Sequence, residues 1–165
     1  MKRFALLAAL LLAGHIVATR ALAGIADSPL PVLIAGKTTL HLYSVPSVVS
    51  SLGLGTYFGC TSTDTAAMQV GVELFFPAGG APANDAVATS LSVAPGATVI
   101  FGTGAAAGIS ISSNLGGSFS KGSARILATS KKLVCTAFVA DTGNAPPTSS
   151  WQLTIIKKTM QKAAN

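Results

Sequence analysis

Alternation of apolar and polar residues with a period of two is the feature that most constrains the fold of this chain. It is clearest in residues 67–76, whose apolar members on one face are Met68, Val70, Val72, Leu74 and Phe76. This period is typical of an antiparallel strand with one buried face, whereas an amphipathic helix repeats every 3.6 residues. The opposite face, which carries Gln69 and Glu73, is predicted to meet solvent.

Residues 122–141, with the sequence GSARILATSKKLVCTAFVAD, predict two further strands. Residues 123–129 and 133–140 each alternate, and the polar residues 130–132 between them are typical of a turn. We therefore expect these two strands to form a hairpin. The second strand is apolar on both faces, which favours a central position or a face offered to a partner.

The remaining chain supports the same fold class. Residues 31–35 and 38–45 predict a first strand or hairpin after a loose lead-in at residues 24–31, and residues 46–53 resemble a turn. In all we expect about eight or nine short strands, with turn signals such as Pro95-Gly96 every 8 to 12 residues. No long amphipathic helix competes with them. The prediction is an all-β, single-domain antiparallel β-sandwich of the immunoglobulin-like or Greek-key kind.

Cys60 and Cys135 are the only two cysteines, and both fall within predicted strands. In an exported protein such a pair predicts a disulfide. The bond would join two strands that are distant in sequence, as the link between strands B and F does in immunoglobulin domains. The match with that pattern is partial, because Trp151 follows the second cysteine and Leu133 stands at the place of the tyrosine-corner residue.

Residues 1–23 have the three parts of a secretory signal peptide. Lys2 and Arg3 precede a long apolar run, and Ala21-Leu22-Ala23 places small residues before a cleavage site between Ala23 and Gly24. An uncleaved N-terminal anchor is the alternative, although the apolar run is short of the roughly 20 residues of a membrane span. We expect export to the periplasm or the extracellular space, with residues 24–165 as one domain and no transmembrane segment.

The net charge of +6 comes partly from this leader, since removing Lys2, Arg3 and Arg20 leaves +3. The other positive residues form no cluster with aromatic residues outside the polar basic tail at residues 157–165. A nucleic-acid-binding protein usually carries such a basic face. We therefore expect no nucleic-acid partner.

Three features together resemble small exported bacterial proteins of uncharacterised function. They are CTSTD at residues 60–64, the Pro95-Gly96 turn before an apolar strand, and the GSARILATS and LVCTAFVAD segments. The resemblance covers roughly residues 55 to 141. It implies a secreted β domain and assigns no activity, cofactor or site residue.

Titratable side chains are scarce after the leader, where His41 is the only histidine and five carboxylates remain. Acid–base catalysis and metal binding both need several positioned groups of this kind. The sequence therefore predicts no cofactor, no metal and no enzymatic activity. The Asp141-Thr142-Gly143 triplet is interpreted as a turn.

A non-enzymatic binding, structural or surface module is thus the first hypothesis. Its partner would contact an edge strand or the predicted end loops, which are residues 77–85, 102–108 and 112–122. Three alternatives remain open. They are an assembling, pilus-like or adhesin-like subunit, a small hydrolase that uses His41 with Asp64 or Asp141, and a membrane-surface protein that uses Lys157, Lys158 and Lys162.

Overall fold

The structure is a computed structural model that describes residues 24–26 and 28–158. The predicted signal peptide with Ala23, and Lys162 of the tail, lie outside the described residues. Within them the regular elements are ten strands: β1 Leu40–Ser51, β2 Leu54–Ser62, β3 Met68–Phe75, β4 Leu91–Val93, β5 Thr98–Gly102, β6 Ser113–Asn114, β7 Phe119–Ala128, β8 Leu133–Asp141, β9 Ser150–Gln152 and β10 Ile156–Lys157. The all-β prediction is confirmed.

The strands form one nearly closed, barrel-like sheet in the order β4-β3-β7-β1-β2-β5-β6. β10 pairs with β1. β8 pairs with the other side of β2, and β9 pairs with β8. Every pairing is antiparallel except that of β5 with β6, so the sheet is mixed. This arrangement does not confirm the predicted sandwich.

The link between β1 and β2 is narrow, because only the pairs Ser50–Gly55 and Ser51–Leu54 join them. We call β4, β3, β7, β1 and β10 the first strand group, and β6, β5, β2, β8 and β9 the second strand group. A single hydrophobic cluster contains buried residues of both groups. From β3 it takes the predicted set Met68, Val70, Val72 and Leu74, and from β8 Leu133, Ala137 and Val139.

The predicted hairpin at residues 122–141 is wrong. β7 pairs with β1 and β3, whereas β8 pairs with β2 and β9, so the two strands belong to different groups. The turn between them is tied to the end of β2, where Thr63 N donates to Lys132 O at 2.9 Å and the Asp64 carboxylate accepts from Ser130 Oγ at 2.5 Å. These contacts direct the chain across to the second group.

β1 is longer than the sequence predicts, since it continues through Pro46 to Ser51. Register shifts on either side of this proline, against β7, let the strand bend without ending. The turn is confined to Leu52 and Gly53, with φ of 54° and 75°. Two positive φ values in a two-residue loop are those of a type I′ hairpin, which explains the glycine there.

Other predicted strands are shorter or absent. Residues 87–93 contribute only β4, and residues 109–111 form no strand, since the local strand is β6. Residues 151–156 divide into β9 and β10 around Leu153.

The outer face of β3 was predicted to meet solvent, and this is wrong for Glu73, which is 4% exposed. Residues 28–39 lie across that face. Gly71 makes the approach possible, because a Cβ there would stand 3.0 Å from Leu33 Cδ2 and 3.2 Å from Ala86 O. The covering segment therefore includes the end of the predicted lead-in at residues 24–31 and also residues 31–35, where the predicted strand is wrong because β1 begins only at Leu40.

Candidate binding groove

The disulfide between Cys60 and Cys135 is confirmed. The two residues are directly opposite one another in β2 and β8, with a Cα–Cα distance of 4.2 Å. The bond therefore joins two adjacent strands within one strand group, and the short Cα–Cα distance is that of a non-hydrogen-bonded antiparallel pair. The expected likeness to the immunoglobulin link between facing sheets is wrong.

A bulge in β1 places His41 and Ser44 on the same face of the strand. The register against β7 shifts between His41 and Tyr43, so Tyr43 points into the core while His41 and Ser44 face outward. His41 Nε2 lies 3.0 Å from Ser44 Oγ, and Lys158 Nζ lies 3.4 Å from His41 Nδ1. Lys158 reaches this position because β10 pairs with β1 at Tyr43 and Ser44.

A lysine ammonium can only donate, so its contact favours the tautomer in which Nδ1 of His41 accepts and Nε2 donates to Ser44 Oγ. Burial, followed by the charges of Lys158 and Arg125, lowers the pKa of His41 to about 4. His41 is therefore neutral at pH 7 and presents a donor, not a base, to Ser44.

The two carboxylates predicted to act with His41 are engaged elsewhere. Asp64 accepts from Ser130 Oγ and the backbone N of Thr65, which lowers its pKa to about 2. Asp141 accepts from the backbone N atoms of Ser149 and Thr148 and from Asn144, which also lowers its pKa to about 2. Neither one contacts His41. The interpretation of Asp141-Thr142-Gly143 as a turn agrees with these contacts.

A groove of about 540 Å³ opens beside His41. Four parts of the chain form it: the covering segment 28–39, β1, the turn between β7 and β8, and β10. Its lining residues are Leu30, Thr39, Leu40, His41, Leu42, Tyr43, Lys131, Lys157 and Lys158. We call this the lysine-rimmed groove, since its walls are mainly apolar and its three charged residues are all lysines.

The three lysines have no carboxylate partner within residues 24–26 and 28–158. There, Glu73 pairs with Arg125 and Asp64 with Lys132, while Asp85 and Asp141 accept from backbone N–H groups of their own loops. Lys131, Lys157 and Lys158 are exposed. The groove is therefore a site of uncompensated positive charge.

The end loops predicted to carry binding are held against the fold. Asn84 donates to Val72 O and accepts from Leu74 N, so the 77–85 loop is fixed to β3. Ala107 N donates to Thr142 O, and Ser112 N donates to Ile100 O. No cluster of three or more metal-ligating side chains occurs in the described part of the chain.

The terminal strands of the described sheet are β4, β6, β9 and β10, each of two or three residues. β8 also has an edge at residues 133–136, because β9 pairs only with residues 138–140. A strand added by a neighbouring subunit needs such a row of free backbone groups. No helix among the described residues has the length and apolarity that crossing a membrane requires.

Comparison with protein-family models, curated proteins and solved structures gives no match. Sequence reasoning identified His41, Lys157 and Lys158 as residues of interest but did not place them together. It missed the groove residues Leu30 and Lys131. No local pattern marks these two, because only the covering segment and the crossover between strand groups bring them to β1.

Proposed function

We propose that the protein is an exported, non-enzymatic β domain that binds a small, largely apolar ligand in the lysine-rimmed groove. The main support for this proposal is the groove itself, whose volume of about 540 Å³ falls in the range of roughly 300 to 1,000 Å³ usual for small-molecule sites. Export, to the periplasm or beyond the cell, is supported by the signal-peptide pattern of residues 1–23 and by the Cys60–Cys135 disulfide.

The contacts of His41 support a binding role over hydrolysis. A serine hydrolase needs a histidine nitrogen that accepts the serine proton, and a carboxylate that stabilises the imidazolium formed. Here Nε2 donates to Ser44, and a lysine ammonium takes the place of the carboxylate. A positive neighbour opposes imidazolium formation, so the arrangement disfavours the proton transfer on which the reaction depends.

For the architecture, we propose that the two strand groups act as two packed layers. The narrow connection through Ser50–Gly55 and Ser51–Leu54 supports this, as does the hydrophobic cluster that both groups share. The groove would then lie at the margin of the first layer, beside β10.

Binding of the neutral apolar dye N-phenyl-1-naphthylamine tests the function. We expect saturable fluorescence enhancement, weakened several-fold by Leu30→Ser, which removes an apolar wall of the groove. Val134→Ser is the matched control, since Val134 is also an exposed aliphatic residue but lies outside the groove. Absence of saturable binding, or equal loss in both variants, would count against the proposal.

Hydrolysis is tested separately with p-nitrophenyl esters of short and medium chain acids. We expect no turnover that depends on Ser44, so Ser44→Ala and the parent protein should give the same rate. A loss of esterase activity confined to Ser44→Ala and His41→Gln would contradict the non-enzymatic assignment.

A further inference from the structure

We propose that the ligand of the lysine-rimmed groove is a free amphiphile with one aliphatic chain and a carboxylate head group, of the fatty-acid class. This inference rests on the proposed function and specifies its ligand. It follows from three observations: uncompensated lysines at the rim, leucines in the wall, and a concave shape.

The positive charges of the groove favour an anionic ligand. Lys131 comes from the turn between β7 and β8, whereas Lys157 ends β10 and Lys158 directly follows it, so two separate parts of the chain bring ammonium groups to one opening. The four described carboxylates are all engaged elsewhere. A carboxylate here can form charge-assisted hydrogen bonds, which are roughly twice as strong as neutral ones.

His41 does not supply a charge for binding the carboxylate. Because it is neutral at pH 7, it adds no positive charge of its own, and its contact with Lys158 Nζ at 3.4 Å holds that ammonium at the groove. Ser44 in turn orients the imidazole through Nε2. The head-group site therefore consists of lysines, one of them positioned by a neutral histidine.

The wall of the groove suits an aliphatic chain. Leu30, Leu40 and Leu42 contribute apolar surface, whereas the lining tyrosine, Tyr43, is only 9% exposed and offers little ring surface for a sugar or nucleobase to stack on. Each methylene that leaves water adds to the affinity, so a chain of medium length gains substantially from such a wall. A small hydrophilic anion would leave this surface unused.

The concave shape favours a free molecule over a membrane surface, since a bilayer meets a protein through protruding apolar side chains. Leu40 and Leu42 are half-buried and line a recess, at whose opening Leu30 is 40% exposed.

Displacement of N-phenyl-1-naphthylamine by dodecanoate, dodecanol and dodecyltrimethylammonium, below their micellar concentrations, tests the inference. We expect dodecanoate to compete at least about tenfold better than dodecanol and the cationic amphiphile to compete worst. The Lys131→Gln/Lys157→Gln/Lys158→Gln variant should bring dodecanoate to the level of dodecanol. The matched control is Lys37→Gln/Lys121→Gln, which removes exposed lysines outside the groove and should retain the tenfold preference.

The outcomes separate this inference from the function it rests on. Equal competition by dodecanoate and dodecanol, with dye binding still sensitive to Leu30→Ser, would overturn the anionic head group and leave the groove as an apolar site. Dye binding without any amphiphile competing would also overturn the inference. Lysine-dependent binding to anionic phospholipid vesicles, without binding of monomeric dodecanoate, would assign the rim to a membrane surface instead. Absence of dye binding would remove the proposed function itself.

Discussion

Glu73 of β3 and Arg125 of β7 are cross-strand partners that form an ion pair on a face of the sheet where both are almost completely buried, with 4% and 1% exposure. Arg125 does more than neutralise Glu73. Its Nη1 and Nη2 atoms donate to Ser28 O at 2.9 Å and Pro29 O at 3.0 Å, and its guanidinium lies 5.2 Å from the Phe75 ring. One side chain thus connects the sheet to the covering segment.

Replacing Arg125 should therefore destabilise the fold strongly. Arg125→Met keeps the length and apolar stem but leaves Glu73 buried without a counter-charge, a change that usually costs about 3 to 5 kcal/mol. Urea denaturation followed by fluorescence measures the free energy of unfolding. We also expect faster proteolysis at residues 28–39, because two hydrogen bonds of that segment are lost.

The double variant Glu73→Met/Arg125→Met is the informative control. It removes both charges, so it should be more stable than Arg125→Met alone, by about 1 kcal/mol or more. Lys121→Met removes an exposed charge and should change the free energy of unfolding by less than about 0.5 kcal/mol. If Arg125→Met behaves like Lys121→Met, the ion pair does not hold the segment.

Two buried tyrosines give a second prediction, since removing the hydroxyl should change the free energy of unfolding in opposite directions at the two positions. Tyr57 is fully buried and stacks on Phe138 at 5.4 Å, and its hydroxyl has no hydrogen-bond partner among the described residues. Tyr43 donates its hydroxyl hydrogen to Leu133 O and so links β1 to β8. A buried, unpaired polar group is unfavourable, whereas a satisfied one contributes about 1 kcal/mol.

Tyr57→Phe should accordingly leave the protein equally stable or raise its free energy of unfolding by about 1 kcal/mol, and Tyr43→Phe should lower it by a similar amount. Both variants keep the aromatic ring, so packing is matched. Thermal and urea denaturation of the pair provide the measurement. A clear loss of stability in Tyr57→Phe would show that its hydroxyl is hydrogen-bonded in solution.

The strands themselves were predictable from local alternation, as β3 and β8 illustrate. Their pairing was not. The turn at residues 130–132 looks like a hairpin connection, yet β7 and β8 lie in different groups because Asp64 and Thr63, nearly seventy positions earlier, hold that turn. Contacts between residues so far apart in sequence cannot be recognised from a window of a dozen residues.

The candidate site was less predictable for the same reason. Glu73 follows the pattern of a solvent-facing residue, and only the packing of Leu33 and Ala86 against Gly71 shows that its face is covered. His41 and Ser44 would point to opposite faces of a regular strand. The bulge in β1 that unites them depends on the register against β7.

The disulfide yields a third prediction. Cys60 and Cys135 close a loop of 75 residues, and the chain-entropy treatment gives about 4 to 5 kcal/mol for such a loop. Cys60→Ala/Cys135→Ala should lower the free energy of unfolding by about 2 to 5 kcal/mol. A thiol assay on the denatured parent should find no free thiol without reductant and two with it. Two thiols without reductant would contradict the bond.

The last prediction concerns pH and follows from His41. Its pKa is about 4 in the folded protein and 6.5 when unperturbed, because burial and the charges of Lys158 and Arg125 disfavour the imidazolium. Between these values the unfolded chain binds more protons than the folded one, so acid favours unfolding there. The free energy of unfolding should be constant from pH 7 up to the alkaline range in which tyrosine titrates, and fall as the pH decreases from 6.5 towards 4.

His41→Gln should flatten this slope, and urea midpoints of a protein comprising residues 24–165 at pH 7, 6, 5 and 4.5 measure it. The carboxylates affect stability at lower pH. Asp64 and Asp141 have pKa values of about 2, against 3.8 unperturbed. The stability that they contribute is therefore present above pH 3.8 and is lost as the pH falls towards 2. Asp64→Asn should therefore alter the profile mainly below pH 4. His41 is the only histidine of residues 24–165, so a slope between pH 6.5 and 4.5 that persists in His41→Gln would contradict the burial of a neutral imidazole beside Lys158.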